Sequence, residues 1–269
     1  MMDTGIYLYC FTRTDPALPL AGVGVDATHQ IFRHSCRDVT AVISEVSLEE
    51  FCGPDAEARL QDLSWVAPRA RRHEEIIETV MRHAPVLPVR LGTIFSSLHS
   101  LTSRMQRHHD AVARFLDEVT DRDEWVIKGI INMEKAKDAA IAAALSEKAE
   151  QLNALSPGLR YLKEQRIRKT SEKEFHLWLG GILNSMNNEL KSYAIDLCER
   201  RLQTRDVTGS DHEMVANWAF LVPRENVRDL MTRINTINSA YESEGLFLEL
   251  SGPWPPFSFS PALDTETRG

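Results

Sequence analysis

The sequence predicts an α+β protein of two domains, each a small, mainly antiparallel sheet with helices in a modified ferredoxin-like arrangement, followed by an extended proline-rich C-terminal segment. Three observations carry that reading. Strand-like and helix-like segments alternate, with hairpins among them; a charged stretch at residues 120–124 separates two complete strand-and-helix sets; and the last apolar strand, residues 246–250, runs into Ser251-Gly252-Pro253-Trp254-Pro255-Pro256-Phe257-Ser258-Phe259. The expected domains are therefore residues 1–120 and 121–250, with 251–269 as a Pro/aromatic tail.

Residues 5–11 (GIYLYCF) are aromatic and β-branched, hence a strand, and residues 15–26, with Pro16, Pro19, Gly22 and Gly24, form a loop. Residues 29–35 and 38–46 read as a hairpin; the second strand carries apolar groups on both faces, which calls for cover on one side of the sheet and partial cover on the other. Val66, Ala70, His73, Ile77, Val80 and Ala84 then recur at helical spacing, with a break expected at Pro68, whose missing N–H is tolerated at a helix start. Residues 86–91 form the next strand, on an edge or bulged because of Pro88. Ser96 or Ser97 caps a helix with the stripe Leu98, Leu101, Met105, His108, Val112, Phe115 and Val119.

The second half opens with a strand at residues 125–133 and an alanine-rich helix at 134–155, interrupted by Ser156-Pro157-Gly158. A long helix is expected over residues 159–202, with one stripe at Phe175, Leu179, Ile182, Met186, Leu190, Tyr193 and Leu197. Its charged portion, residues 163–174, shows no burying stripe and is expected to project. Residues 206–211 read as loop, 217–222 as a strand, 224–243 as a helix and 246–250 as the last strand. Three prolines after it forbid helix or central strand. Burying Trp254 and Phe257 on the same chain is favoured over leaving them exposed, at ~25 cal/mol per Å² of apolar area.

The chain has 269 residues, 43% of them hydrophobic, enough for a sizeable core. A formal net charge of −8 leaves no overall basic field to hold nucleic acid. There is no apolar run of membrane-spanning length and no secretory signal pattern at the start, so a cytoplasmic chain is expected. Cys10, Cys36, Cys52 and Cys198 lack C-x-x-C spacing and are read as reduced, mostly buried small hydrophobes.

The search for chemistry points to no catalytic, cofactor-binding or metal-ligating set. His73-Glu74 has Ile77 where a zinc helix needs its second histidine, and His108, His109 and Asp110 are consecutive, which spreads them around a helix. Gly22-Val23-Gly24 lacks the third glycine and the flanking elements of a phosphate turn. Lys128 reads as a side chain snorkelling at a sheet margin in preference to an anion ligand, and Arg90 as the partner of Glu74 or Glu75. The alternative function is a small-molecule-binding or catalytic protein with a pocket around His73, Glu74, Arg90 and Lys128. The basic series Arg160, Lys163, Arg166, Arg168, Lys169 and Lys173, interspersed with Glu164, Glu172 and Glu174, has Tyr161 as its one aromatic, a poor platform for single-stranded nucleic acid. A solvated helix face and a protein-docking arm centred on Arg160, Arg166, Arg168 and Lys169 are the two readings left.

Five motifs recur in one order: Arg72-His73-Glu74; Pro85-Val86-Leu87-Pro88-Val89-Arg90-Leu91-Gly92-Thr93-Ile94-Phe95; Glu124-Trp125-Val126-Ile127-Lys128; Gly158-Leu159-Arg160-Tyr161-Leu162; and Gly252-Pro253-Trp254-Pro255-Pro256-Phe257-Ser258-Phe259. In these the chain resembles the GvpL/GvpF family of gas vesicle proteins over nearly its whole length, departing at Leu91, where the family usually has phenylalanine, and at Phe257, where it has tyrosine. The resemblance implies a non-enzymatic accessory protein for assembling gas-filled, protein-walled vesicles, located in the cytoplasm and associated with them. It also implies partners, namely the small hydrophobic shell protein and other accessory proteins, and no cofactor, nucleic acid or membrane.

Overall fold

The computed structural model describes residues 4–202 and 212–263. The chain forms two compact units, Met1–Glu124 with Pro253–Gly269, and Trp125–Gly252.

In the first unit, β1 (Thr4–Arg13) is buried along nearly all its length, as its apolar and aromatic composition demands. It pairs antiparallel with β3 (Val39–Ser47), which pairs with β2 (Ile31–Cys36), and on its other side with β4 (Val86–Pro88) and β5 (Ile94–Phe95). A register shift between Leu8 and Cys10 marks a bulge. Between β3 and β4 lie α1 (Leu48–Cys52), α2 (Ala56–Gln61) and α3 (Leu63–Met81); α4 (Leu98–Glu118) follows β5. Ile76, Ile77 and Val80 of α3 pack with Tyr7, Tyr9, Val42 and Val46. On the opposite face His34, which pairs with Ala41, hydrogen-bonds Thr102 of α4 at 2.7 Å. Helices thus cover both faces, where one full and one partial cover was expected.

The helix break falls at Asp62, not Pro68. The Asp62 side chain accepts from the Ser64 N–H and caps α3, so Pro68 sits inside the second turn, where its missing N–H forfeits one bond. The edge strand ends at Pro88, shorter than expected, because the chain turns at Arg90 and rejoins β1 through β5. Ser97 caps α4 with a reciprocal bond to Ser100. Of the cysteines only Cys10 is buried; Cys36 and Cys198 are half-buried and Cys52 is exposed, so a mostly buried set is not what forms.

The sheet of the second unit has the order β7-β8-β6-β9, from β6 (Arg122–Ile131), β7 (Asp196–Glu199), β8 (Glu213–Pro223) and β9 (Leu246–Trp254). Its helices are α5 (Met133–Glu147), α6 (Ala149–Asn153), α7 (Pro157–Leu190) and α8 (Val227–Tyr241). Phe175, Leu179, Met186 and Leu190 of α7 share one core with Leu230, Ile234 and Ile237 of α8 and with Ile127, Trp218, Phe220 and Leu248 of the strands. The long helix stops at Leu190, twelve residues short of expectation: a 3₁₀ turn at Lys191–Tyr193 ends it, and Leu197 pairs with Phe220 in the ladder of β7 and β8. The expected loop at 206–211 lies outside the described residues.

The charged portion of α7 is not without a burying stripe. Ile167 and Ser171 are each only 7% exposed and continue the row of Phe175 and Leu179 at four-residue intervals. Within residues 120–124, β6 already starts at Arg122, and Asp123 and Glu124 are buried.

Candidate functional site

The most elaborately built feature of the first unit is the turn between β4 and β5. His73, 1% exposed on α3, lies 3.1 Å from the Tyr7 hydroxyl through Nδ1 and 3.0 Å from the Val89 carbonyl through Nε2. A carbonyl only accepts, so Nε2 carries the proton, and Nδ1 accepts from the Tyr7 O–H. The same Tyr7 oxygen accepts the Gly92 N–H at 3.0 Å. Thr93 closes the turn on the Arg90 carbonyl through both N–H and hydroxyl, and Gly92 supplies the required φ of +81°. Flanking bonds from Val89 N–H to Tyr9 and from Leu8 N–H to Thr93 fasten the turn to β1.

Burial dominates the electrostatics. It pushes the His73 imidazole down to about 4 and raises the Tyr7 phenol. With both nitrogens engaged and no charge at neutral pH, His73 acts as a pin rather than an exposed base. A second tyrosine pin lies beside it: the Tyr9 hydroxyl contacts Ser44 Oγ at 2.8 Å, accepts the Val25 N–H at 2.9 Å, and is pushed by burial up to about 12. A Cβ on Gly24 would come within 2.6 Å of that hydroxyl, which is why glycine stands there.

Arg90 sits exposed at the turn and makes no ion pair among the described residues, contrary to expectation. Glu75 is taken instead by Arg71 and Arg72, at 2.8 and 3.5 Å, and the half-buried Glu74 carboxyl is raised by burial, with Glu78 adding to the shift. Cavities of about 410 and 310 Å³ exist, one lined by Asn132, Lys135, Asn238 and Glu242 among others, the second by Leu20, Ile31, Arg72 and Arg82. His73, Glu74, Arg90 and Lys128 line neither of these two cavities. Lys128 is half-buried on β6. No group of three or more His, Cys, Asp or Glu among the described residues is placed to hold a metal.

The remaining motif residues have structural positions. Trp125 is 7% exposed in the second core, Tyr161 is 60% exposed on α7, and Arg160, Arg166, Arg168 and Lys169 are all exposed there. Gly252, at φ +140°, and Pro253 belong to β9, so the strand continues into the proline segment; β9 is an edge strand, which tolerates a proline. Trp254 is 41% exposed, contrary to the expected burial. The buried residues are Pro255 and Pro256, followed by Phe257, which packs on the core of Tyr7 and Ile77. Sequence reasoning missed the residue that fastens this segment, Glu124, whose carboxylate accepts both the N–H and the hydroxyl of Ser258.

The comparisons with known proteins agree in direction. The profile of the family described as gas vesicle synthesis protein GvpL/GvpF matches residues 5–261. Gas vesicle protein L of a Streptomyces species is 27% identical over 94% of this chain and 92% of its own length. The fold matches the crystal structure of gas vesicle protein GvpF from Anabaena with a TM-score of 0.71 at 19% identity, covering 96% of this chain and 98% of that one. GvpF from Microcystis aeruginosa matches with a TM-score of 0.67 at 17% identity, over 96% and 99% of the two chains.

Proposed function

The chain belongs to the GvpL/GvpF family of gas vesicle synthesis proteins, and from that premise we propose that it serves gas vesicle formation as a non-catalytic accessory protein. The observation that carries the reading is a family match over residues 5–261 joined to a shared fold over 96% of the chain. The non-catalytic part rests on the use made of three strongly perturbed side chains: Tyr7, Tyr9 and His73 are enclosed and spent on holding loops. In our reading the partners are the small hydrophobic shell protein and other accessory proteins, met through the exposed Arg160, Arg166, Arg168 and Lys169 of α7, in the cytoplasm and at the vesicle. No helix among the described residues is long and apolar enough to cross a membrane. The second unit is read as ferredoxin-like, because a helix follows β6 and another follows β8, and β6 lies between β8 and β9 in the sheet. We propose 1–120 and 121–250 as domains and 251–269 as a C-terminal tail, of which Pro253 onward is grouped with the first compact unit.

Deletion of the gene in a vesicle-forming host, with electron microscopy of the cells, tests the role. Loss of vesicles restored by the wild-type gene supports it. Normal vesicles in the deletion strain overturn it. Co-purification of tagged chain with the shell protein, lost in a variant with Arg160, Arg166, Arg168 and Lys169 reversed to glutamate, tests the partner assignment.

A further inference from the structure

Resting on the reading of α7 as a docking element, we propose that its outer face receives a helix of another protein that bears carboxylates in its middle and apolar side chains at both ends. Leu159, Leu162, Arg166, Lys169, Leu177 and Gly180 follow one another along α7 on the side away from Ile167, Ser171, Phe175 and Leu179, which are buried. Leu159, Leu162 and Leu177 are 58%, 65% and 79% exposed. Between them Arg166 and Lys169 are exposed and make no ion pair among the described residues, whereas Arg160 already binds Glu164 at 2.8 Å. A Cβ at Gly180 or Gly181 would meet nothing within 4 Å, so a second backbone has room to come close. The row spans roughly 30 Å at 1.5 Å per residue, about six turns of a partner helix.

The order of charges selects the occupant. A second copy of α7 laid antiparallel would match the ends well, Leu162 against Leu177 and Leu159 against Gly180. It would also gather Arg166 and Lys169 of both copies into the same central stretch, and no carboxylate of the described residues lies on this face to separate them. Like charges facing each other across an interface disfavour that pairing, while carboxylates there reverse the sign and speed encounter. The apolar ends supply the contact area and the cationic middle sets register and choice of partner.

Two synthetic helical peptides test this against the full chain by fluorescence anisotropy. Both carry leucines spaced to meet the two apolar ends; one has glutamates in the middle and the other lysines. The glutamate peptide should bind about tenfold more tightly than the lysine peptide, with affinity falling as salt rises. Arg166→Glu with Lys169→Glu should reverse the preference with helix content and melting unchanged, and Gly180→Leu should weaken the glutamate peptide while the fold is kept and melting does not fall. Equal binding of both peptides, binding of neither, or a wild-type dimer in sedimentation that Leu162→Ser abolishes overturns the proposal. Vesicle restoration by the wild-type gene separates the two readings: if it occurs while the peptide preference is absent, the acidic-helix site falls and the assembly role stands.

Discussion

Glu124 holds Ser258 twice, taking its backbone N–H on Oε2 at 2.8 Å and its hydroxyl on Oε1 at 2.6 Å, so residues 134 apart in sequence share one carboxylate. Glu124 is 2% exposed, and charge-assisted bonds to a buried carboxylate count for more than neutral ones. Ser258→Ala removes one of the two donors that Ser258 gives to this carboxylate. It should cost about 1–2 kcal/mol. Urea unfolding of the full chain measures this, and a double-mutant cycle with Glu124→Gln should show coupling between the two sites.

His73 makes stability depend on pH. Its imidazole titrates near 4 when folded and near the ordinary 6.5 when unfolded, so between those values the unfolded chain binds the extra proton. Stability therefore rises with pH across that window and is lost as pH falls through it, by roughly 3 kcal/mol in full. His73→Gln should be less stable at neutral pH but flatter between pH 4 and 6.5. An imidazole NMR titration of the wild type giving an ordinary histidine midpoint would overturn the assignment.

His109 works in the opposite direction. Its Nδ1 lies 3.0 Å from Asp110 and its Nε2 2.7 Å from Asp38 at the β2–β3 turn, so only the doubly protonated ring satisfies both carboxylates, and these bonds raise its pKa, with Arg37 opposing. The stabilisation is fully present below the unfolded value and is lost as pH rises through the folded one. The measured decline in stability above pH 6.5 should be smaller in His109→Ala than in the wild type.

The residues that made the fold legible are those whose local pattern and tertiary environment agree. Residues 5–11 look like a strand and become the central one; Ser97 looks like a cap and is one. The misreadings share a cause: a short apolar period fits two structures until a partner decides. Tyr193 and Leu197 extend the spacing of α7, yet Leu197 is claimed by Phe220 across a ladder. Pro68 resembles a helix start, but Asp62 six residues earlier offers a capping oxygen. For the candidate site, sequence reading found His73, Arg90 and Gly92 as motif residues and missed Tyr7, whose hydroxyl joins His73 to Gly92. Residues 66 and 85 apart leave no local trace of a shared hydroxyl.

Asn238 of α8 guards the edge strand β9, its amide donating to the Leu248 carbonyl at 2.9 Å and accepting the Leu248 N–H at 2.7 Å. It occupies the place a neighbouring strand would take. Asn238→Ala should cost about 1–3 kcal/mol through two unsatisfied backbone groups. It should also raise aggregation on mild heating, followed by light scattering, and Asn238→Asp, which keeps only the acceptor, should fall between the two.

Two glycines should respond to alanine in opposite senses, and the contrast separates backbone strain from chain entropy. Gly92 is held at φ +81° with open space around a Cβ, so Gly92→Ala destabilises by conformation alone, by about 1 kcal/mol, and Gly92→Asn by less because asparagine tolerates the left-handed region. Gly180 also has open space but sits inside α7, where alanine is the better helix former. Gly180→Ala should therefore stabilise by about 0.5–1 kcal/mol. If both substitutions destabilised, the open space beside Gly180 would be wrong, and the outer face of α7 would already be covered.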